Sequence, residues 1–237
     1  DLTHQRDIAD ALPWFYTVGT RQLPMQPVDA ARAGVGSDVP LIQGGTRDEM
    51  RAVVADLLDI ANTPLTPTAY ERIVRRLYGR DADAVLARYS LRRYATPSLA
   101  LATLQTDEGR MVGWCTQLSF NSAYDRAHRS RGPVYAYEFA EDSGRVAGDL
   151  PLGASHGDDI PYFFDTYFDN AQPTPARRTG LAAEMIDRWT AFARTGQPGG
   201  GWDSYRHGNA LSMSSTKVAP VDVLREHECG FWRSLAR

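Results

Sequence analysis

Val39-Pro40-Leu41-Ile42-Gln43-Gly44-Gly45-Thr46-Arg47-Asp48-Glu49 is the stretch on which the fold turns. From Val39 to Gly44 it is a short apolar run ending in glycine, the pattern of a buried strand in a parallel sheet. Glu49 follows at once, on the loop that leaves the strand. Val134-Tyr135-Ala136-Tyr137-Glu138-Phe139, rich in strand-forming residues, reads as a second strand, and Ala210-Leu211-Ser212-Met213 as a third at the sheet edge. Helical patterns surround them: Met50 to Ile60, Pro67 to Tyr78 with Thr66 as its cap, Ala82 to Tyr89, Pro97 to Thr106 and Arg110 to Arg126. A long amphipathic helix is expected from Arg177 to Thr195, with Leu181, Met185, Trp189 and Phe192 recurring at three or four and Gly196 and Pro198 ending it. Val221 to Leu235 reads as a closing helix, and the chain up to about Asp38 as Pro-dotted loop. Strands set singly among helices predict an α/β layered fold. Three strands are few for one, so the sheet reads as incomplete.

The 237 residues carry 43% hydrophobic and 23% charged side chains, an ordinary globular balance. With no repeat or linker, residues 1–237 read as part of a single domain. A net charge of −3 without a block of like charges argues against nucleic acid or an anionic membrane as partner and favours a small neutral substrate. No run is long and apolar enough for a membrane span. Asp1-Leu2-Thr3-His4-Gln5-Arg6-Asp7 lacks signal-peptide character, so any export signal is expected upstream. Lys217 is the one lysine among 26 basic residues, a composition that fits a GC-rich, bacterial genome.

Acyl transfer to a serine needs an imidazole beside the hydroxyl and a carboxylate holding the other ring N–H. In α/β-hydrolases these parts arrive in the order nucleophile, acid, histidine, each on a loop after a strand. Glu49, and His156 in Gly153-Ala154-Ser155-His156-Gly157, satisfy the last two places. Ser155 formally fits G-x-S-x-G, and Asp187 or Asp203 with His207 or His227 would complete a self-contained triad. A nucleophile elbow, however, needs a strand before it and a helix after it. Gly144 to Pro151 reads as loop and Pro161 stands where the helix should start, so Ser155 is better read as a small loop residue. His4, His128, His207 and His227 have no partner at ligand spacing, and no metal or cofactor is expected. Asp159 reads as a structural acid of the histidine loop. Tyr162, Phe163, Phe164, Tyr167 and Phe168 line a pocket or pack in the core.

The chain resembles the type B carboxylesterases, the family of the cholinesterases and bacterial p-nitrobenzyl esterases. The likeness rests on Val39 to Glu49, on Gly153-Ala154-Ser155-His156-Gly157-Asp158-Asp159-Ile160-Pro161-Tyr162-Phe163-Phe164, on Trp189 to Pro198 with Trp202-Asp203-Ser204-Tyr205, and on His227-Glu228-Cys229-Gly230-Phe231-Trp232. Met50 departs from it, standing where the family usually has glycine, a change expected to tighten the loop after the acid. The resemblance implies the C-terminal portion of an α/β-hydrolase, with Glu49 as acid and His156 as base. It also implies that the nucleophilic serine and the oxyanion loop belong to an N-terminal half of the same esterase, the expected partner. This chain alone is then expected to be inert. A non-catalytic cholinesterase-like binding module is the alternative, which the presence of both Glu49 and His156 disfavours. Cys115 and Cys229 resemble the positions where secreted members carry a disulfide. That pairing implies a secreted or periplasmic protein, whereas two reduced thiols would place it in the cytoplasm.

Overall fold

The computed structural model describes residues 17–35, 38–109, 112–128, 132–164 and 176–235. Its main sheet holds β1 (Leu41–Thr46), β2 (Val134–Phe139), β5 (Asn209–Met213) and β6 (Val218–Asp222), side by side in that order. β1 and β2 run parallel from Leu41 opposite Val134 to Thr46 opposite Phe139, and β2 is parallel to β5. β6 turns back antiparallel on β5, with Met213 opposite Val218. The third expected strand is therefore internal, and the edge belongs to a strand that the sequence reading assigned in part to helix. Pro220 is compatible with β6 because an edge strand tolerates a missing N–H. At the other edge, among the described residues, β1 pairs with β2 alone.

The helices follow their caps. α1 (Pro27–Arg32) lies in the segment expected to be loop, and α2 (Arg51–Leu57) stops short of the expected Ile60. α3 (Pro67–Tyr78) begins where Thr66 accepts the Ala69 N–H at 3.2 Å. A 3-10 turn leads into α4 (Ala82–Arg88), and α5 (Pro97–Glu108) starts where Thr96 accepts the Leu99 N–H at 3.1 Å. In both α3 and α5, proline occupies the first turn, where its missing N–H costs nothing. α6 (Trp114–His128) starts later than expected, after Gly113 with φ at +151°. A small hairpin, β3 (Val146–Ala147) with β4 (Leu150–Pro151), replaces part of the expected loop before His156. After α7 (Ile160–Phe163) comes α8 (Ala176–Thr195), and the chain closes with α9 (Val223–Glu226) and α10 (Cys229–Leu235). The last two are separate because Glu228 between them has φ at +53°.

Side chains of β2 alternate between two cores, as pleating requires. Val134 and Ala136 join a core with Leu101, Leu104, Trp114 and Leu118 of α5 and α6. Tyr135 and Phe139 join Leu181 and Met185 of α8, with Trp189 and Phe192 partly buried against them. The disulfide is present: Cys115 in α6 and Cys229 opening α10 are bonded, with Cα atoms 5.3 Å apart.

On the α6 side of the sheet lies a buried ionic group that spacing did not reveal. His227 Nδ1 is 2.8 Å from Asp107 Oδ1 and its Nε2 is 3.4 Å from Glu138 Oε1, all three side chains at most 4% exposed. Tyr89 donates to Asp107 at 2.9 Å and Ser212 to Glu138 at 2.6 Å. The Trp114 indole stacks on the imidazole, with centroids 4.7 Å apart. Burial opposes a charge on His227, but the bonds to Asp107 and Glu138 outweigh it and push the imidazole up to about 9. Burial also pushes Asp107 up from the ordinary carboxylate value despite the imidazolium beside it, which offsets part of the gain. A group whose pKa rises on folding stabilises fully below its unfolded value and loses that contribution as pH climbs through the folded one. Unfolding free energy should therefore fall between pH 6.5 and 9 by up to about 3 kcal/mol, before exposed tyrosines ionise near 10. Urea titrations across this window check it: His227→Gln should flatten the slope, and an equal slope in both proteins would refute the assignment.

Candidate active site

β1 delivers its last residue, Thr46, buried, to the turn carrying Glu49. At Gly44 a Cβ would stand 2.0 Å from the Tyr137 carbonyl oxygen, so only glycine lets β1 lie this close to β2. The Thr46 N–H donates to Glu49 Oε2 at 2.8 Å, and the Thr46 hydroxyl donates to the same oxygen. Trp114 Nε1 donates to the Thr46 carbonyl at 3.0 Å, fixing that residue from behind. Oε2 thus belongs to Thr46, and Oε1 is left for the imidazole. Met50 is buried at φ −90°, a conformation open to any residue, and its N–H donates to Thr106 Oγ1 at 3.0 Å. The methionine therefore fills core space without distorting the acid turn.

His156 Nδ1 hydrogen-bonds Glu49 Oε1. The carboxylate side chain is 7% exposed and the imidazole 55%, so one end of the pair is buried and the other faces outward. Burial would push Glu49 up, but the bonds from His156 and Thr46 prevail and hold it below its ordinary value. The same bond to Glu49 raises His156, against burial. Such a pair holds the ring with Nδ1 toward the carboxylate and leaves Nε2 outside that bond. The two loops are also joined through their backbones, His156 N–H to Glu49 O at 3.2 Å.

Ser155 is fully buried, its hydroxyl donating to Leu152 O at 2.7 Å and its N–H to Asp158 Oδ2 at 2.8 Å. It follows the β3–β4 hairpin instead of a sheet strand. His227 is committed to Asp107 and Glu138, so no triad forms around Ser155 with that histidine. Asp159, raised by burial, accepts from Tyr137 OH at 3.0 Å, consistent with a structural acid. Phe163 and Tyr137 both pack on Trp189, with centroids 4.8 and 5.0 Å apart, and Tyr162 is buried against Phe139. Phe164 is 64% exposed. Tyr167 and Phe168 lie outside the described residues. A cavity of about 320 Å³ is lined by Gln43, Gly44 and, across from them, Gly113 and Gln117. Among the described residues no cluster of histidine, cysteine and carboxylate side chains could hold a metal. Thr46 and Trp114 were the supports missed from sequence; a hydroxyl three residues before the acid was the available signal for the first.

The family model described as "Carboxylesterase family" matches residues 3–232. The chain is 31% identical to carboxylesterase 4A of Bos taurus over 113 residues, 46% of this chain and 20% of that protein. It is 29% identical to fumonisin B1 esterase of Sphingopyxis macrogoltabida over 209 residues, 79% of this chain and 34% of that one. Among solved structures it superposes on Aspergillus niger EstA with a TM-score of 0.68 at 18% identity, covering 92% of this chain and 44% of that one. A thermophilic PNB esterase gives 0.59 at 20% identity, covering 89% and 41%. The likeness places the sheet and helices within a partial α/β-hydrolase fold, and the chain spans less than half the length of these relatives.

Proposed function

Because the chain belongs to the carboxylesterase family, we propose that it is the C-terminal part of a serine carboxylic ester hydrolase. Glu49 and His156 are then the acid and base of a Ser-Glu-His triad, and the serine and oxyanion hole come from an N-terminal segment of the same esterase. The observation that carries this reading is the Glu49–His156 hydrogen bond, with its carboxylate buried and its imidazole half exposed.

In the assembled enzyme His156 Nε2 takes the proton from the serine hydroxyl as that oxygen attacks the ester carbonyl. Glu49 stabilises the resulting imidazolium through Nδ1–H. His156 returns the proton to the leaving alcohol as the acyl–oxygen bond breaks. It next takes a proton from water as the water oxygen attacks the acyl carbonyl, and passes that proton to the serine oxygen as the acyl–serine bond breaks and the carboxylic acid leaves. No step calls for a cofactor. Phe163, Phe164 and Trp189 pack together beyond the histidine loop, an apolar cluster compatible with a small neutral ester, and the buried disulfide supports an exported protein.

A fluorophosphonate probe tests the proposal. The isolated chain should remain unlabelled, and co-expression with the N-terminal segment of its reading frame should give label on that segment. Label on this chain at Ser155 would favour the self-contained reading, and no label in either state the binding module.

A further inference from the structure

We propose that Asp48 is a positioning residue that clasps the His156 loop onto the acid turn, so that Glu49 and His156 meet only while its carboxylate is in place. The inference rests on the reading of that pair given above and assigns the group that sets its geometry. Asp48 stands one position before Glu49 and is 5% exposed. Its N–H donates to Ala154 O at 2.9 Å, and its Oδ2 accepts the Ala154 N–H at 3.0 Å. This two-point bond ties residue 48 to residue 154, two positions before His156. The next link outward is the bond from His156 N–H to Glu49 O. The two turns are therefore laced together in register up to the side chains that must touch.

Asp48 is itself held. Arg51 Nη2 lies 2.6 Å from Oδ1 and Arg47 Nη2 3.3 Å from Oδ2. Arg51 Nη1 also donates to Pro151 O at 3.2 Å, so the same guanidinium grips the strand that leads into the histidine loop. Space for this is made at Gly153, where φ is +59° and a Cβ would stand 2.2 Å from Asp48 Oδ2 and 2.9 Å from Arg51 Nη1. Asp48, Arg51, Gly153 and Ala154 thus form a charge-assisted clasp. The side chains of Glu49 and His156 bond to each other and to Thr46, not to any of these four residues. A substitution here acts on the pair only through loop position.

The test reads the pair directly, by NMR of the 237-residue chain labelled with 15N at histidine. The wild type should show a downfield Nδ1 proton on His156 and a titration midpoint above that of ordinary histidine. Asp48→Asn should lose that proton signal and return the midpoint toward the ordinary value. Removing Asp48 alone leaves the partly buried Arg51 unpaired, which endangers folding. The double variant D48N/R51Q removes both charges and should show the same loss with the thermal transition retained. A wild type lacking the downfield proton would overturn the reading of the pair itself. A wild type showing it, with D48N/R51Q showing it unchanged, would overturn the clasp alone.

Discussion

Replacing His156 with glutamine should lower kcat of the reconstituted esterase by roughly 10⁴- to 10⁶-fold, leaving only the rate sustained by substrate binding and the oxyanion hole. The magnitude follows from the single pathway for the proton: Nδ1 is bonded to Glu49, so every transfer must use Nε2. Glu49→Gln should cost about 10⁴-fold, because an amide can hold the ring in the wrong tautomer and cannot offset the imidazolium charge. Both variants should retain the wild-type thermal transition if ester affinity is to be compared fairly. On the proposed mechanism the raised His156 should shift the acid limb of kcat/KM upward from that of an ordinary histidine. In Glu49→Gln that limb should move back down. Steady-state kinetics with a chromogenic ester checks all three, and a loss of less than tenfold for His156→Gln would remove it from the mechanism.

Loss of the disulfide is the largest stability effect expected. The bond closes a loop of 114 positions between Cys115 and Cys229, and the chain-entropy model assigns such a closure about 4 to 5 kcal/mol. Its location adds to the effect. Cys115 follows Trp114 and Cys229 lies two residues after His227, so the bond also holds together the two rings stacked over the buried ionic group. Cys115→Ser/Cys229→Ser should therefore lower the urea midpoint strongly and raise the m-value, because the unfolded chain is no longer cross-linked and exposes more surface. A double variant within 1 kcal/mol of the wild type would show that packing alone holds α6 to α10.

Glu49 and His156 were legible as a candidate pair because each sits in a compact local pattern, an apolar strand leading to Glu49 and a glycine-flanked loop around His156, and the structure brings their side chains into contact. α3 was legible to the residue, since Thr66 and Pro67 mark its start chemically. β6 was not, because Pro220 argues against a strand and Val221 onward carries helix-compatible spacing. The break between α9 and α10 depends on the left-handed backbone of Glu228, which nothing in a helical period announces. His227 lacked a partner in sequence because its carboxylates stand 120 and 89 positions away. Only the packing of α5 and β2 brings them together. Asp48 was readable as part of a motif but not as a clasp, since Ala154 stands 106 positions away and only the packing of the histidine loop on the acid turn brings the two together.

The two borders of the main sheet are unequal. β6 doubles back and presents a proline on its far side, whereas β1 carries a parallel ribbon with no described neighbour. A strand docking on β1 in parallel would end its run level with the turn that bears Glu49 and would carry its outgoing loop toward the rim where the imidazole stands.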